Sequence, residues 1–376
     1  MKTANSSAIL ELHFLKDMPA GNVNRGLDGA PKSIELGGVL RARISSQSLK
    51  RQVRLAAYTE WPEAFSGRRS KEHWITLSPM LVEAGCPALV AEDLAKAAMD
   101  STTGGDTLVY IGEGELREIA TRLAAVAATK TWEALVKKVE DKKAKKAKDS
   151  EEVPVKLELE ETAAKSLKKA LDKDALAADI ACFGRMLASS ASMNIEAAVS
   201  VAHAIGVHQM SPEVDFFTAV DDLRKDMEET GAGHLGTNEM HASTMYHYVC
   251  IDLERLRSNL SSQMDLESFT RVVTILVKKF LFTTANGKQT TMAARTEPLK
   301  AIAVLRSVNS PVQVSWDVPV VSETGYGPEA VTRMTDAVNG MAVRMGSMWG
   351  EVARAEYGGD QGLEEMVAAI TKSLEA

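Results

Sequence analysis

The run Arg43-Ile44-Ser45-Ser46-Gln47-Ser48-Leu49-Lys50-Arg51 dictates a strand that turns straight into a helix. Val39 to Ile44 reads as the strand, with Arg41 and Arg43 one alternation apart. The serine pair then caps a helix that continues to Tyr58. On a helical wheel started at Gln47, Lys50 falls at about 300°, Arg51 at about 40° and Arg54 at about 340°. Leu49, Val53 and Ala56 fall at roughly 180–240°, so polar donors share one arc and the opposite arc packs. Unpaired backbone N–H groups and the positive end of the helix dipole add to the same spot. Together these features make an anion site whose natural occupant is phosphate. Ser46 and Gln47 open it, and Arg25 and Lys32 in the loop upstream are placed to close over the same anion. A solvated helix face also carries three cations in many proteins, so this run alone leaves both readings open.

Net charge taken alone opposes a nucleic-acid partner, because the 376 residues sum to −7. Its distribution does not. Residues 1–58 hold nine Lys or Arg against four acids, a local +5, which leaves −12 for the other 318 residues. A basic module in an acidic protein can concentrate a phosphate strand while the bulk stays soluble. The length suits one large domain or two of ordinary size. No apolar stretch approaches the roughly 20 residues of a membrane span. The N-terminus shows no apolar secretion core, so export is not expected. Three widely spaced cysteines (Cys86, Cys182, Cys250) argue against a disulfide framework or zinc ribbon, and point to a reducing cytoplasm.

Along the chain, Ala8 to Leu15 reads as a central strand, followed by a Gly/Asn/Pro-rich loop from Pro19 to Lys32. Residues 60 to 177 are helical in pattern around Pro87–Met99, Leu116–Ala128 and Trp132–Val139, and end in a lysine-rich tract from Lys137 to Asp149. Strand-like segments return at Asp179–Met186, Ala197–Val207 and 239–252. Asp265 caps a helix running to Phe282, and strands are expected at Ala301–Arg306 and Gln313–Val318 before a helical C-terminus. Between His208 and Gly236 lies an acidic excursion that starts with Val214-Asp215-Phe216-Phe217-Thr218. The order reads as an α+β sheet core with a helical insertion and a smaller excursion.

Catalytic chemistry is harder to find. Seven histidines occur without an HExxH, CxxC or GxSxG motif, and only His241 and His247 share a strand face. No Walker sequence is present; Gly104-Gly105-Asp106 reads as a turn. No metal or cofactor is expected. Adjacent Phe216 and Phe217 cannot face the same way on a strand, so one packs and the other is presented, unless both fill a local core. Met186 is by type a core methionine.

The run at 43–51 resembles the signature of the CasC family, the crRNA-binding backbone subunit of type I-E CRISPR Cascade. Further words follow in order: Asn24-Arg25 with the Gly37-Gly38 turn, Asp179 to Met186, Ala202-His203-Ala204-Ile205, His208-Gln209, Phe217 to Leu223, and Ala232 to Thr237. The resemblance implies a modified RRM (ferredoxin-like) palm at 1–59, 178–207 and 237–376, the last with C-terminal helices. It implies helical fingers at 60–177 and a thumb at 208–236. It implies copies joined head to tail along a crRNA, each holding the backbone and displacing a base at intervals. Backbone contacts then fall to Arg25, Lys32, Gln47, Lys50 and Arg54, with Ser46 and Arg41 ranked lower. Met186 stands beside the displaced base, Phe217 and Thr218 form the thumb's contact, and Lys288 and Gln289 form a further polar loop. Implied partners are target DNA through the guide, a Cas five-type subunit, the large and small Cascade subunits and, indirectly, a recruited nuclease. Neither a membrane nor a catalytic role is implied. Two alternatives stay open. One is an RNA-cleaving backbone subunit of the type III kind, using Asp17 or Asp28 of the first loop with a metal. The other is a nucleotide-binding enzyme that uses the same helix for phosphate.

Overall fold

The run Ile9 to Leu15 is buried from end to end, and even its Glu11 and His13 have no exposed surface. In the computed structural model, which describes residues 8–103, 108–127, 137, 176–187, 193–219, 234–260 and 264–375, this run begins β1 (Ile9–Gly21). There follow β2 (Ser33–Leu36), β3 (Val39–Ile44), α1 (Ser46–Glu60), β4 (Arg68–Ser70), α2 (Trp74–Glu83) and α3 (Ala88–Thr103). Next come β5 (Val109–Ile111), α4 (Glu113–Ala127), α5 (Ala178–Phe183), β6 (Val199–Val201), β7 (Ala204–Gly206) and β8 (Glu213–Ala219). The remainder is β9 (His234–Asp252), α6 (Leu253–Asn259), α7 (Leu266–Phe282), α8 (Gln289–Met292), β10 (Pro298–Arg306), α9 (Gly327–Met345), β11 (Glu351–Tyr357) and α10 (Leu363–Glu375). No helix among the described residues is long and apolar enough to cross a membrane.

Contacts divide the chain into two compact units. The first comprises Met1–Ala57, Val199–Leu253 and Leu266–Ala376. Its sheet runs β11-β10-β1-β9-β7-β3-β2, with β6 and β8 also paired to β9. β1 lies antiparallel between β9 and β10, and α7 lies between those two strands in sequence. That is the split β-α-β arrangement of a ferredoxin-like sheet. One face of β1 carries Ile9 and Leu15, which pack with Tyr246, Tyr248, Ile302 and Val304 beneath Ala330, Met334 and Val338 of α9. On the other face, Phe14 stacks on His247 with ring centroids 4.6 Å apart. Between β2 and β3, Gly37 and Gly38 both have positive φ, as a two-residue hairpin turn requires. A Cβ on Gly37 would also sit 1.6 Å from the Asp317 carbonyl oxygen, so no side chain fits there.

A buried polar network crosses the middle of this sheet. Glu11 and Arg306, neither with any exposed side-chain surface, form an ion pair. The Glu11 carboxylate also accepts from Tyr248 Oη at 2.5 Å and from Val312 N–H at 2.8 Å. Arg306 donates to the carbonyls of Trp349 (2.6 Å), Ser310 (3.0 Å) and Met348 (3.0 Å).

The second unit comprises Tyr58–Ala198 and Glu254–Asp265. Its apolar core is drawn from α2, α3 and α4, including Leu77, Leu81, Val90, Leu94, Leu116 and Ile119. A second buried pair ties it together: Arg185 to Glu115 at 2.6 Å, with Arg185 Nε donating to the Met193 carbonyl at 2.9 Å. Asp179 accepts from Tyr110 Oη at 2.6 Å and from Gly67 N–H at 3.1 Å.

Several expectations change. Asp179–Met186 is not a strand: Ala178–Phe183 is a helix that Gly184 ends at φ +78°. Its residues 178–182 are all buried, so the apolar run carried no period to separate helix from strand. Of the described residues, 178–187, 193–198, 254–260 and 264–265 belong to the second unit. Gln313–Val318 forms no strand, and its Val314 N–H bonds a side chain, Tyr246 Oη, at 3.0 Å. β1 runs on to Gly21, which puts Asp17 in a strand rather than in the loop. The expected turn at 104–106, residues 132–136 of the expected third helix, the lysine tract beyond Lys137, and 220–233 lie outside the described residues.

Arg306→Ala leaves Glu11 buried without its counter-ion. It is expected to cost about 3–5 kcal/mol of unfolding free energy. Denaturant titration measures this, and a loss under about 1 kcal/mol would contradict a central role for the pair.

Candidate nucleic-acid interface

Within the first unit, α1 begins where three separate segments meet. Ser45 N–H donates to Asn24 Oδ1 at 2.8 Å, and the Ser45 carbonyl accepts from the N–H groups of Ser48 and Leu49. Ser46 N–H donates to His203 Nδ1 at 3.2 Å. Accepting at Nδ1 fixes the neutral imidazole with its proton on Nε2. Burial, then Arg43, then Lys32 hold His203 below the ordinary histidine range, so the ring lies within the field of those two cations. Asn24 and His203 thus position the start of α1. Both lie in family words, but their spacing from Ser45 and Ser46 gave no local signal of this role.

The upstream loop folds back onto β3. Lys32 N–H donates to the Asn24 carbonyl (2.9 Å), and Arg43 N–H donates to the Lys32 carbonyl (3.0 Å). An isolated bridge joins Arg25 to Pro31. Arg25 is exposed, while Lys32 and Ser46 are half-buried. On α1, Leu49, Val53 and Ala57 are buried, Gln47 and Arg51 are exposed, and Lys50 and Arg54 are half-buried. The polar arc read from the sequence is therefore the outer arc.

Arg41 is a correction. It has no exposed surface and donates to the carbonyls of Gly206 (3.0 Å), Trp316 (3.2 Å) and Asp317 (3.3 Å). Its guanidinium is a structural tie from β3 to β7 and the 316–317 segment, not a grip on a ligand. Gln289 is a second correction. Its amide N–H groups go to the Ala285 (2.9 Å) and Ala294 (3.2 Å) carbonyls and brace the loop. Lys288, held at φ +48°, donates to Asn238 Oδ1 on β9.

β8 and the start of β9 form a hairpin in which every β8 residue is exposed. Phe217 pairs with Gly236, and a Cβ there would meet the Phe217 ring at 2.5 Å. Asp215 pairs with Asn238 on the same face as Phe217, the face that Lys288 reaches. Thr218 points the opposite way, together with Val214 and Phe216. Phe217 and Thr218 therefore serve two different sides of the hairpin.

In the second unit, Met186 is 86% exposed although its neighbours Arg185 and Leu187 are buried. Arg185 exchanges backbone bonds with Ile195, and Leu187 N–H donates to Asn194 Oδ1 at 2.6 Å. A methionine expected by type to be in a core is instead displayed between two pinned residues.

Asp17 accepts from Thr244 Oγ1 at 2.6 Å, and Asp28 accepts from Ala30 N–H at 3.1 Å in a local turn. Among the described residues no group of three or more His, Cys, Asp or Glu is placed to hold a metal ion.

A family model described as CT1975-like protein matches residues 10–369. Among solved structures, a chain of a "CRISPR RNA-guided surveillance complex, pre-nicking" superposes with a TM-score of 0.74 at 26% identity. It covers 98% of this chain and 99% of that one. A chain of a "CRISPR RNA-guided surveillance complex" gives 0.57 at 22% identity, with 98% of each chain covered; this second likeness is one of fold. No curated protein matches the sequence.

Arg41→Ala strands three carbonyls and is expected to cost at least about 2 kcal/mol of stability. Gln47→Ala, on the exposed arc, is expected to stay within about 0.5 kcal/mol. Thermal and denaturant melts of the two variants separate the structural arginine from the outer arc.

Proposed function

The chain belongs to the CT1975-like family, and from that premise we propose that it is the crRNA-binding backbone subunit of a Cascade-type surveillance complex, of the type I-E kind. The full-length likeness to a chain of an RNA-guided surveillance complex carries this reading. Copies assemble head to tail along the guide, since an open heterologous contact generates a filament rather than a ring. Gln47, Lys50 and Arg54 on the outer arc of α1, with Ser46, Arg25, Lys32 and Lys288, hold phosphate and sugar. Such contacts carry no sequence information, so any spacer is accepted. Specificity rests with pairing between guide and target DNA. Met186 offers a flat, polarizable contact for a displaced base, and Phe217 or Thr218 of the hairpin separates neighbouring bases. Destruction of the target falls to a recruited nuclease, and this subunit itself performs no chemistry. The other Cascade subunits are its further partners.

The double variant Lys50→Ala, Arg54→Ala tests the grip. Affinity should fall alike for every spacer, and the slope of log K against log salt should flatten by about 0.7 for each phosphate no longer neutralised. A weakening confined to particular spacers would contradict backbone readout. Cleavage of matched RNA by the assembled complex with Mg²⁺, abolished by Asp28→Ala, would replace the reading with a nuclease. Phe217→Ala should change the repeating pattern of protected and exposed bases in chemical probing more than the overall affinity. An unaltered pattern would remove Phe217 from that role.

A further inference from the structure

Lys16 is 4% exposed, and its ammonium meets no carboxylate within 4.0 Å among the described residues. Among the described residues it donates only to the Thr283 carbonyl at 3.5 Å and to Thr284 Oγ1 at 3.3 Å, both long and both neutral. An ammonium has three N–H groups and loses its hydration on burial, so this arrangement leaves a charge poorly served. The contrast with Glu11 and Arg306 on the same sheet is direct, because there the buried charges are paired.

The side chain lines a part-open cleft with a cavity volume of about 10 Å³, room for no more than a water-sized group. Ile44 at the end of β3 and Leu49 on the packed face of α1 form one wall. Thr283, Thr284 and Thr296, from the segment that also carries Lys288, form the other. Two elements assigned to the RNA backbone therefore flank the cleft.

We propose that Lys16 is an anion seat, in which a non-bridging phosphate oxygen of the bound RNA enters the cleft and accepts from the ammonium. The inference rests on the crRNA-binding reading and adds to it a contact made below the helix rather than on its outer arc. A single oxygen is the size the cleft admits, and phosphate supplies the charge the ammonium lacks. The titratable groups facing Lys16 do not supply it. His247 of β9 is pushed down to about 3 by burial and by Lys16, and Asp17 of β1 has Oδ1 on Thr244. The lining residues of α1 and of the 283–296 segment bear no charge. Burial lowers Lys16 to about 8, so phosphate raises that value again and RNA binding takes up a proton above pH 8.

The test compares the full chain with Lys16→Met, using single-stranded RNA and DNA oligonucleotides over a range of salt at pH 7 and pH 9. The variant, relieved of a buried charge, should melt higher at pH 7. It should bind about tenfold more weakly at low salt, with the salt slope reduced by about 0.7 on both nucleic acids. Wild-type affinity should fall from pH 7 to pH 9 by more than that of the variant. Wild-type protein that binds RNA, with a variant of unchanged slope, would overturn this inference alone. Wild-type protein that binds no RNA would overturn the function reading and the inference with it. A loss of affinity confined to RNA, with the salt slope unchanged, would assign the seat to a 2′-hydroxyl and so overturn phosphate. Should Lys16→Met fail to fold, titration of the Lys16 ε-CH₂ by NMR in the wild type decides. Its midpoint should rise when RNA is added, and an unmoved midpoint would overturn the seat.

Discussion

A carboxylate and a guanidinium, both wholly buried, hold the middle of the sheet. Glu11 sits on β1 and Arg306 on β10, while Tyr248 of β9 donates to the same carboxylate. Two ions removed from water offset that cost only when their geometry and remaining hydrogen bonds are complete. One pairing register of the three central strands satisfies all of these groups. Register in turn decides which side chains face which layer. With Glu11 turned toward the Tyr246–Tyr248 side beneath α9, Phe14 is turned toward Leu49 and Val53 of α1 and Phe280 of α7. The outer arc of α1 owes its direction to an ion pair between two other strands.

The start of that helix shows a second level of dependence. Its first backbone donors are met by Asn24 and His203, and β3 is tied by Arg41 to carbonyls on β7 and beyond. With these donors taken, the helix start is fixed in place by partners 21 and 157 residues away in sequence. The neutral Nδ1 of His203 does this without bringing a competing negative charge to the site.

Much of this was legible in the sequence because it is local. Leu49, Val53 and Ala57 carry the packed face of α1, and Gly37-Gly38 carries the hairpin turn. The β1 run and the helix after Asp265 were written in their own residues. What was not legible depends on distant partners. Arg41 reads as a surface cation until the carbonyls of Trp316 and Asp317 come to meet it, and Gln289 reads as a ligand contact until Ala285 and Ala294 take its amide. Gln313–Val318 looks like a strand until Tyr246 and Glu11 take backbone donors in and beside it. Met186 misleads in the opposite direction, because its type favours a core while Arg185 and Leu187 turn inward around it.

Every residue of β8 is exposed, and the bearing of the hairpin comes from β9, a single strand of 19 residues shared with the central sheet. Phe217 and Thr218 occupy opposite sides of it. Along such a strand the side of a residue is a matter of odd and even counting from the anchored end. Adding or removing one residue between His241, which pairs with Gly21, and Gly236, which pairs with Phe217, would exchange the two sides. Insertions or deletions of two would preserve them. Natural length variation in this arm should therefore come in even steps, a parity rule imposed by the sheet on an element that projects beyond it.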